Sequence, residues 1–528
     1  MSGFIDSQIL RFDDDLQIEA RTLLALTPEP QNPFEVAVIM ETLGHTDATA
    51  RARGYTNLFD LARHLYASLE EFGTLEPDPA EGGEPLEEPD PGRVVEAVGL
   101  FIGYSIPWLT AVALLLATGT GFWSASVFTP DLASALVLAL AAGLASSALF
   151  TFPFARRATF YRLQGNMALV AWTARWLVGA GVPGCVAING AMYLILERVF
   201  ATYTPGSTRA FFEMGVAIAL LQLSFAPLYA LRAFGWLAGA TAAGASVIVV
   251  GLGMVSHGAF TDPFAVVRVQ LVALTTMIVV ALLGCGWLLR RTGQRVEVPN
   301  GWAVVRSTAS YGLYGAGYFL LILVGQLVAG GVWHGSFEYS RDYAVVTGTA
   351  LLALLPLFGY TTIAGERFPK EVTSCVRRHS VEDVDAVSDL LATSQWHRLR
   401  TLGLVGAITS GLMVSLVALL RPDLGVAVTI WTHLPLFALT LLSYVALAAG
   451  VLSSQTLFAL SKPSVPTAAA AAGSVLCLLG GGLLSLAWSD GAAAIVGVLV
   501  GTTTFALVTA GSAARTVRHF DGSYYGAL

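Results

Sequence analysis

Twelve apolar stretches, each of about 20 residues or more, fill most of this chain: roughly 97–118, 131–152, 167–195, 211–231, 236–256, 266–289, 303–328, 343–365, 401–420, 427–449, 466–487 and 491–511. A helix rises about 1.5 Å per residue, so each stretch can cross a hydrocarbon layer about 30 Å thick. Unpaired backbone groups cost several kcal/mol in oil, and only a helix satisfies them within one segment. The stretches are therefore expected to be membrane helices. Charged residues make up 12% of the 528, about half the share of a soluble domain, which excludes a water-facing globular enzyme. Gly and Ala recur within the stretches, as close helix contacts in a bundle require.

Charge assigns a direction to the array. With a cytoplasmic N-terminus, the connections at 153–165, 229–235, 290–301, 366–400 and 455–465, with the tail at 512–528, hold 16 Lys and Arg. The opposite side holds five: Arg198, Arg209, Arg268, Arg341 and Arg421. That bias follows the positive-inside rule and places both termini in the cytoplasm of a multi-pass inner-membrane protein. Six stretches lie before the basic connection 290–302 and six after it. The expected fold is an all-α polytopic membrane protein of about twelve transmembrane helices in two six-helix bundles, 93–289 and 303–511. Equal halves suggest a transporter working around a central path.

Residues 1–93 carry 19 Asp and Glu against 6 Lys and Arg, whereas the remainder is net positive. An acidic cytoplasmic extension of two to four short helices is expected over 1–73, including a face of Leu58, Leu61, Leu65 and Leu69 at helical spacing. A Pro- and acid-rich linker over 74–92 follows. The N-terminus has no basic region leading into an apolar core, so the first span is expected to act as the targeting signal. Cys185, Cys285, Cys375 and Cys477 are scattered without metal-ligand spacing and read as small apolar side chains. No metal or cofactor is expected.

A charge at mid-membrane depth costs at least about 2.5 kcal/mol, so it must find a partner, water or the interface. Arg175 is the clearest case, as a substrate-facing cation or one paired with Glu213 or Glu197. Glu213 is the candidate for proton or cation coupling. Asn189, Gln222, Gln270 and Gln326 are uncharged groups that either touch cargo or join helices. His257, Asp262 and Arg268 surround one outward connection as a candidate outer gate. His433, beside Pro435 in the tenth stretch, reads as a hydrogen-bonded neutral imidazole. In the long connection 366–400, Val381, Val384, Val387 and Leu391 predict a cytoplasmic helix across the base of the second bundle, with Arg377, Arg378, Arg398 and Arg400 near lipid heads.

The chain has no P-loop, so energy must come from a gradient, a partner or substrate flow. It has no HExxH, GxSxG or paired carboxylates of catalytic spacing, and no basic aromatic surface for nucleic acid. An enzyme is not expected.

The stretch FEYSRDYAVVTGTALLALLPLFGYTTIAGERF, followed by VEDVDAVSDLL and SQWHRLRTLGLVGAITSGL, resembles the Pel exopolysaccharide transporter family. That family lies within the multidrug, oligosaccharidyl-lipid and polysaccharide (MOP) flippase superfamily. Asp342, Pro356, Glu366 and Phe368 fall at the family's Asp, Pro, Glu and Phe positions, and Thr151 and Arg156 at its exit from the second span. The tail HFDGSYYGAL is similar to its Tyr-rich endings. The resemblance implies two six-helix bundles, alternating access, export of a polysaccharide or lipid-linked glycan, and cooperation with a cytoplasmic glycosyltransferase. Two rivals differ: ion-coupled efflux of small cationic compounds, favoured if Glu213 faces the cavity, and a non-transporting scaffold for a polysaccharide synthase.

Overall fold

The computed structural model describes residues 33–42, 45–71, 91–122, 128–163, 166–199, 203–257, 264–290, 301–334, 337–378, 384–419 and 425–519. Residues 1–32 of the expected acidic extension, residues 74–90 of the linker, Asp262, Val381 and the C-terminal residues 520–528 lie outside them.

The described residues form helices apart from short connections. α1 (Pro33–Thr42), α2 (Asp47–Ala52) and α3 (Leu58–Glu71) come first. Leu58, Leu61, Leu65 and Leu69 of α3 are all buried, closing over Val36, Met40 and Ala50. This is a small helical unit with its own apolar centre. Asn57 accepts from the Asp60 amide at 2.8 Å and Asp60 Oδ2 from the Thr56 amide at 3.1 Å, so two N–H groups at the start of α3 are satisfied. The Thr56 amide, above all, holds the Asp60 carboxyl below its ordinary range. A lowered folded value means that this contribution is full above the unfolded value and is lost as pH falls through the folded one. The protection of amides in 58–71, taken relative to their intrinsic exchange rate at each pH, is therefore expected to fall below about pH 4, and Asp60→Asn to remove that acid step.

The membrane region comprises α4 (Pro91–Thr118), α5 (Pro130–Leu163), α6 (Met167–Val199), α7 (Pro205–Ala230), α8 (Phe234–Ser256), α9 (Ala265–Leu289), α10 (Gly301–Ala329), α11 (Arg341–Arg378), α12 (Val384–Leu419), α13 (Gly425–Thr432), α14 (Leu434–Ala459), α15 (Ser464–Ser485) and α16 (Asp490–Arg518). Eleven helices from α5 onward are long and apolar enough to cross a bilayer, and α4 adds the apolar segment Gly99–Leu115. Leu283, Leu419, Leu483 and Leu507 are among the large apolar side chains left exposed, as on a surface that meets lipid.

Two apolar cores divide the helices, one built from α4–α9 and one from α10–α16. The packing repeats although the sequence does not. In the first half α4 packs on α8, α5 on α6 and α7, α7 on α9, and α8 on α9. Six spans later α10 packs on α15, α11 on α12 and α14, α14 on α16, and α15 on α16. Small residues bring the backbones close: a Cβ at Gly473 would fall 2.7 Å from the Gly501 carbonyl oxygen.

Three local features differ from the sequence expectation or resolve it. The third apolar stretch, 167–195, is a single helix, α6, with Pro183 inside it. The tenth apolar stretch is broken at His433, because Pro435 brings no N–H and opens a new helix. The helix expected across the base of the second bundle is instead the cytoplasmic start of α12, paired with the end of α11. Val387 and Leu391 insert against Phe368, Val372, Leu460 and Val517, apolar surface that would otherwise face water.

In that hairpin Arg398 is 8% exposed and pairs with Glu371, whose Oε2 also accepts from Ser394 Oγ at 2.8 Å. The guanidinium carbon stands 4.8 Å from the Phe368 ring centre. Glu371→Gln leaves a buried cation with a weakened partner. It is expected to lower stability by about 2 kcal/mol, less than for a fully buried pair because Glu371 is partly hydrated. Thermal unfolding in detergent measures this.

Candidate functional site: an aromatic cavity between the bundles

A cavity of about 480 Å³ lies between the two halves, walled by α4, α5, α10, α11, α14 and α16. It occupies their outer parts. Tyr343 is in the first turn of α11, Gln326 in the last turn of α10, and Ile495 and Val498 near the start of α16. The cytoplasmic parts of the same helices close beneath it. Phe101 of α4 lies against Gly359 of α11, where a methyl group would overlap the ring. A Cβ at Gly312 of α10 would sit 2.5 Å from the Leu149 carbonyl oxygen of α5, and Gly315 meets Phe152. Arg157 donates to Ser307 Oγ at 2.5 Å across the same contact, and Arg156 stands 5.7 Å from the Tyr311 ring centre. The cavity therefore lies toward the outer face, with packed helix contacts on its cytoplasmic side. On one side the outer ends are also tied, by Tyr203 donating to the Phe337 carbonyl and the Tyr339 amide to Ser134 Oγ, both at 2.7 Å.

The wall chemistry is narrow. Trp108, Phe122, Tyr318, Phe319, Tyr343, Phe358 and Tyr444 supply ring surface, Gln326, Thr347, Thr440 and Ser443 supply uncharged polar groups, and the rest is aliphatic or glycine. Several polar groups are already committed: Thr347 Oγ1 donates to the Tyr343 carbonyl at 2.8 Å, and Tyr444 to the Thr347 carbonyl at 3.2 Å. No Asp, Glu, Lys, Arg or His lies among the described lining residues.

Of the residues expected on a substrate path or in coupling, Gln326 lines this cavity and Arg175, Glu213, Asn189 and Gln222 do not. Arg175 is exposed on α6, its Nε donating to the Ala171 carbonyl of its own helix at 3.4 Å. Glu213 bonds Arg209 one turn earlier, Nε to Oε1 at 2.7 Å, near the outer end of α7. Asn189 is fully buried, donating to Ser146 Oγ at 3.0 Å and to the Cys185 carbonyl at 2.9 Å, which fastens α6 to α5. Gln222 is half-buried in α7. Gln270 holds the end of the α4 connection by donating to the Gly121 carbonyl at 2.9 Å. His257 caps α8, and Arg268 follows the start of α9.

Among the family-like positions, Thr151 is half-buried and Arg156 exposed on α5. Asp342 lies in the first turn of α11, where a carboxylate meets the positive helix end. Pro356 is exposed in mid-helix, Glu366 falls within α11, and Phe368 is buried under Arg398. The cavity rings were not singled out from the sequence. Their signal is Tyr and Thr at helical spacing within apolar spans: Tyr311, Tyr314 and Tyr318; Tyr343 and Thr347; Thr440 and Tyr444.

Among the described residues, eleven membrane-length helices and one shorter apolar helix form two bundles related by repeated packing, with a cavity between them. The fold is that of the multidrug resistance MATE transporters of the MOP superfamily. An inward-facing MATE transporter superposes with TM-score 0.54 at 10% identity, covering 81% of this chain and 99% of that one. An outward-facing one gives TM-score 0.54 at 14% identity, covering 81% and 96%. A MOP superfamily transporter from Pyrococcus furiosus, described as having a binding pocket of reverse polarity, gives 0.52 at 13%, covering 80% and 95%. No protein-family model and no curated protein sequence matches the chain.

These findings correct the expectation of exopolysaccharide export. The likeness is one of fold: the matched structures include two multidrug resistance MATE transporters and a MOP superfamily transporter of reverse pocket polarity, and nothing ties the chain to the Pel family in particular. The reason for the misreading is physical: the arrangement of spans that carried the resemblance is common to the superfamily. The wall is also ill-suited to sugar, since each hydroxyl left without a partner costs about 1–3 kcal/mol. With the polymer goes the ground for expecting a glycosyltransferase partner.

Proposed function

We propose that this protein expels small, amphipathic organic cations from the cell, driven by an ion gradient. The observation that carries this reading is the wall of the outer cavity: seven aromatic residues, uncharged polar groups, and no charged side chain among the described lining residues. An anionic cargo would find no counter-charge there, whereas a cation can rest on ring faces, each worth about 0.5–2 kcal/mol when water is excluded. The apolar remainder suits the hydrophobic part of such a compound. The matched MATE structures, named for multidrug resistance, agree with this class of cargo. The reverse-polarity pocket described for the Pyrococcus furiosus transporter shows that wall chemistry, rather than the shared fold, must carry the argument. Gln326, at the rim among the rings, is the proposed polar contact of the cargo.

The sequence has no nucleotide P-loop, so the reading assigns the driving force to a proton or sodium gradient. Proteoliposomes given a fluorescent lipophilic cation test it. Protein-dependent movement is expected, and it should collapse when the gradient is dissipated. Equal movement in protein-free vesicles, or movement indifferent to both gradients, would remove the reading.

A further inference from the structure

We propose that a second cavity, away from the transport path, is a site for one anionic phospholipid of the cytoplasmic leaflet. The inference does not depend on the identity of the cargo. The cavity measures about 340 Å³ and lies where α5 and α6 of the first bundle meet α10 of the second. It is at the inner end of these helices, level with Arg157 and Thr308. It opens sideways past Trp176 and Leu313, which are 43% and 56% exposed, so its mouth faces lipid.

Two observations point to a negatively charged occupant. The first is Arg157, which lines the cavity. One end of its guanidinium is taken by Ser307, while its buried Nε has no hydrogen-bond partner. A buried guanidinium N–H left unmade costs more than a neutral one, and a phosphate oxygen would satisfy it. The second is the surrounding charge. Residues 149–196 and 301–337 contain Arg156, Arg157, Arg162, Arg175 and Arg306, and neither segment contains an Asp or Glu.

The remaining wall suits the rest of the molecule. Trp172 and Trp176, with ring centres 6.4 Å apart, supply the amphipathic rings favoured at headgroup depth. Phe150, Leu177, Val305 and Leu313 offer an apolar track for an acyl chain. Because the walls come from both bundles, a lipid seated here favours the arrangement in which α5 and α10 are packed and the cavity above faces outward.

Full-length protein carrying a photo-reactive benzoylphenylalanine at Leu313, placed in nanodiscs of phosphatidylcholine with a minor share of phosphatidylglycerol, tests the proposal. The mass of the adduct identifies the lipid captured. Phosphatidylglycerol should be enriched about fivefold over its share of the bilayer, the ratio expected when one arginine meets a headgroup of net negative charge rather than the zwitterionic phosphatidylcholine. Arg157→Gln should return it to the bulk proportion. Capture in bulk proportion by the wild type, no lipid adduct, or undiminished enrichment in Arg157→Gln would each overturn the site. If the variant is not recovered folded, the wild-type ratio still decides.

Discussion

Gly312→Leu is expected to reduce transport about 100-fold while the protein still reaches the membrane. A first side-chain carbon at this position would lie 2.5 Å from the Leu149 carbonyl oxygen and 3.2 Å from Pro153 Cγ. Neither neighbour can turn aside, since one is helix backbone and the other a ring fused to it. Relief requires that α5 and α10 part at their cytoplasmic ends, where the outward-open state must stay sealed. Overpacking of this kind costs about 3 kcal/mol, and an equal penalty on one of two states shifts their ratio about 100-fold. The variant should collect in the inward-open state, seen as faster labelling of a cysteine at Ser307 from the cytoplasmic side. Gly403→Leu is the control: nothing stands within 4 Å of a Cβ there, and transport should be unchanged.

Gln326→Lys should be as damaging for a different reason. The residue is half-buried at the rim, beside Tyr318, Ile322 and Leu323 on the same helix, and a lysine there fits sterically. Its ammonium would put a positive charge among rings that otherwise present their negative faces to the cargo. Two unit charges about 6 Å apart repel by about 3 kcal/mol at an effective dielectric constant near 20, which weakens cation binding roughly 100-fold. Uncharged amphipathic compounds should be affected much less. Gln326→Glu reverses the sign and should tighten cation binding. If the lysine variant moved cations at the wild-type rate, Gln326 would have no place beside the cargo.

Helix number and direction were legible because the bilayer imposes a length and a backbone requirement that composition alone reveals. The apolar stretch at 266–289 and α9 at Ala265–Leu289 show how closely the two agree. The break at His433 was harder, since a Pro in a membrane helix is often accommodated: Pro107, Pro153, Pro183 and Pro356 all lie inside continuous helices. The cytoplasmic hairpin was read as one helix across the bundle base because its apolar positions were visible while the surface they cover was not. That surface comes from Leu460 and Val517, far along the chain.

The site was legible only in part. Charges within spans are the strongest functional signal a membrane sequence offers, because their insertion is costly. Here Arg175 lies about two turns from the cytoplasmic start of α6, within reach of the interface, and Glu213 pairs with Arg209 one turn away. Gln326 was found by being polar, whereas Tyr318, Tyr343 and Tyr444 resemble ordinary membrane aromatics until six helices bring them around one space. The family resemblance erred for a related reason, as it rested on span order and a few positions such as Asp342 and Phe368 that serve the helix end and the cytoplasmic packing.

One measurement bears most directly on the link between this cavity and transport. A chain whose four cysteines, Cys185, Cys285, Cys375 and Cys477, are replaced, with a single cysteine put at Thr347 on the cavity wall, is treated from outside with a membrane-impermeant thiol reagent. The expected result is modification that a lipophilic cation slows and that, once complete, stops transport of that cation. Modification that leaves transport untouched, or a cysteine that never reacts from the outer face, would contradict the assignment of this space as the path.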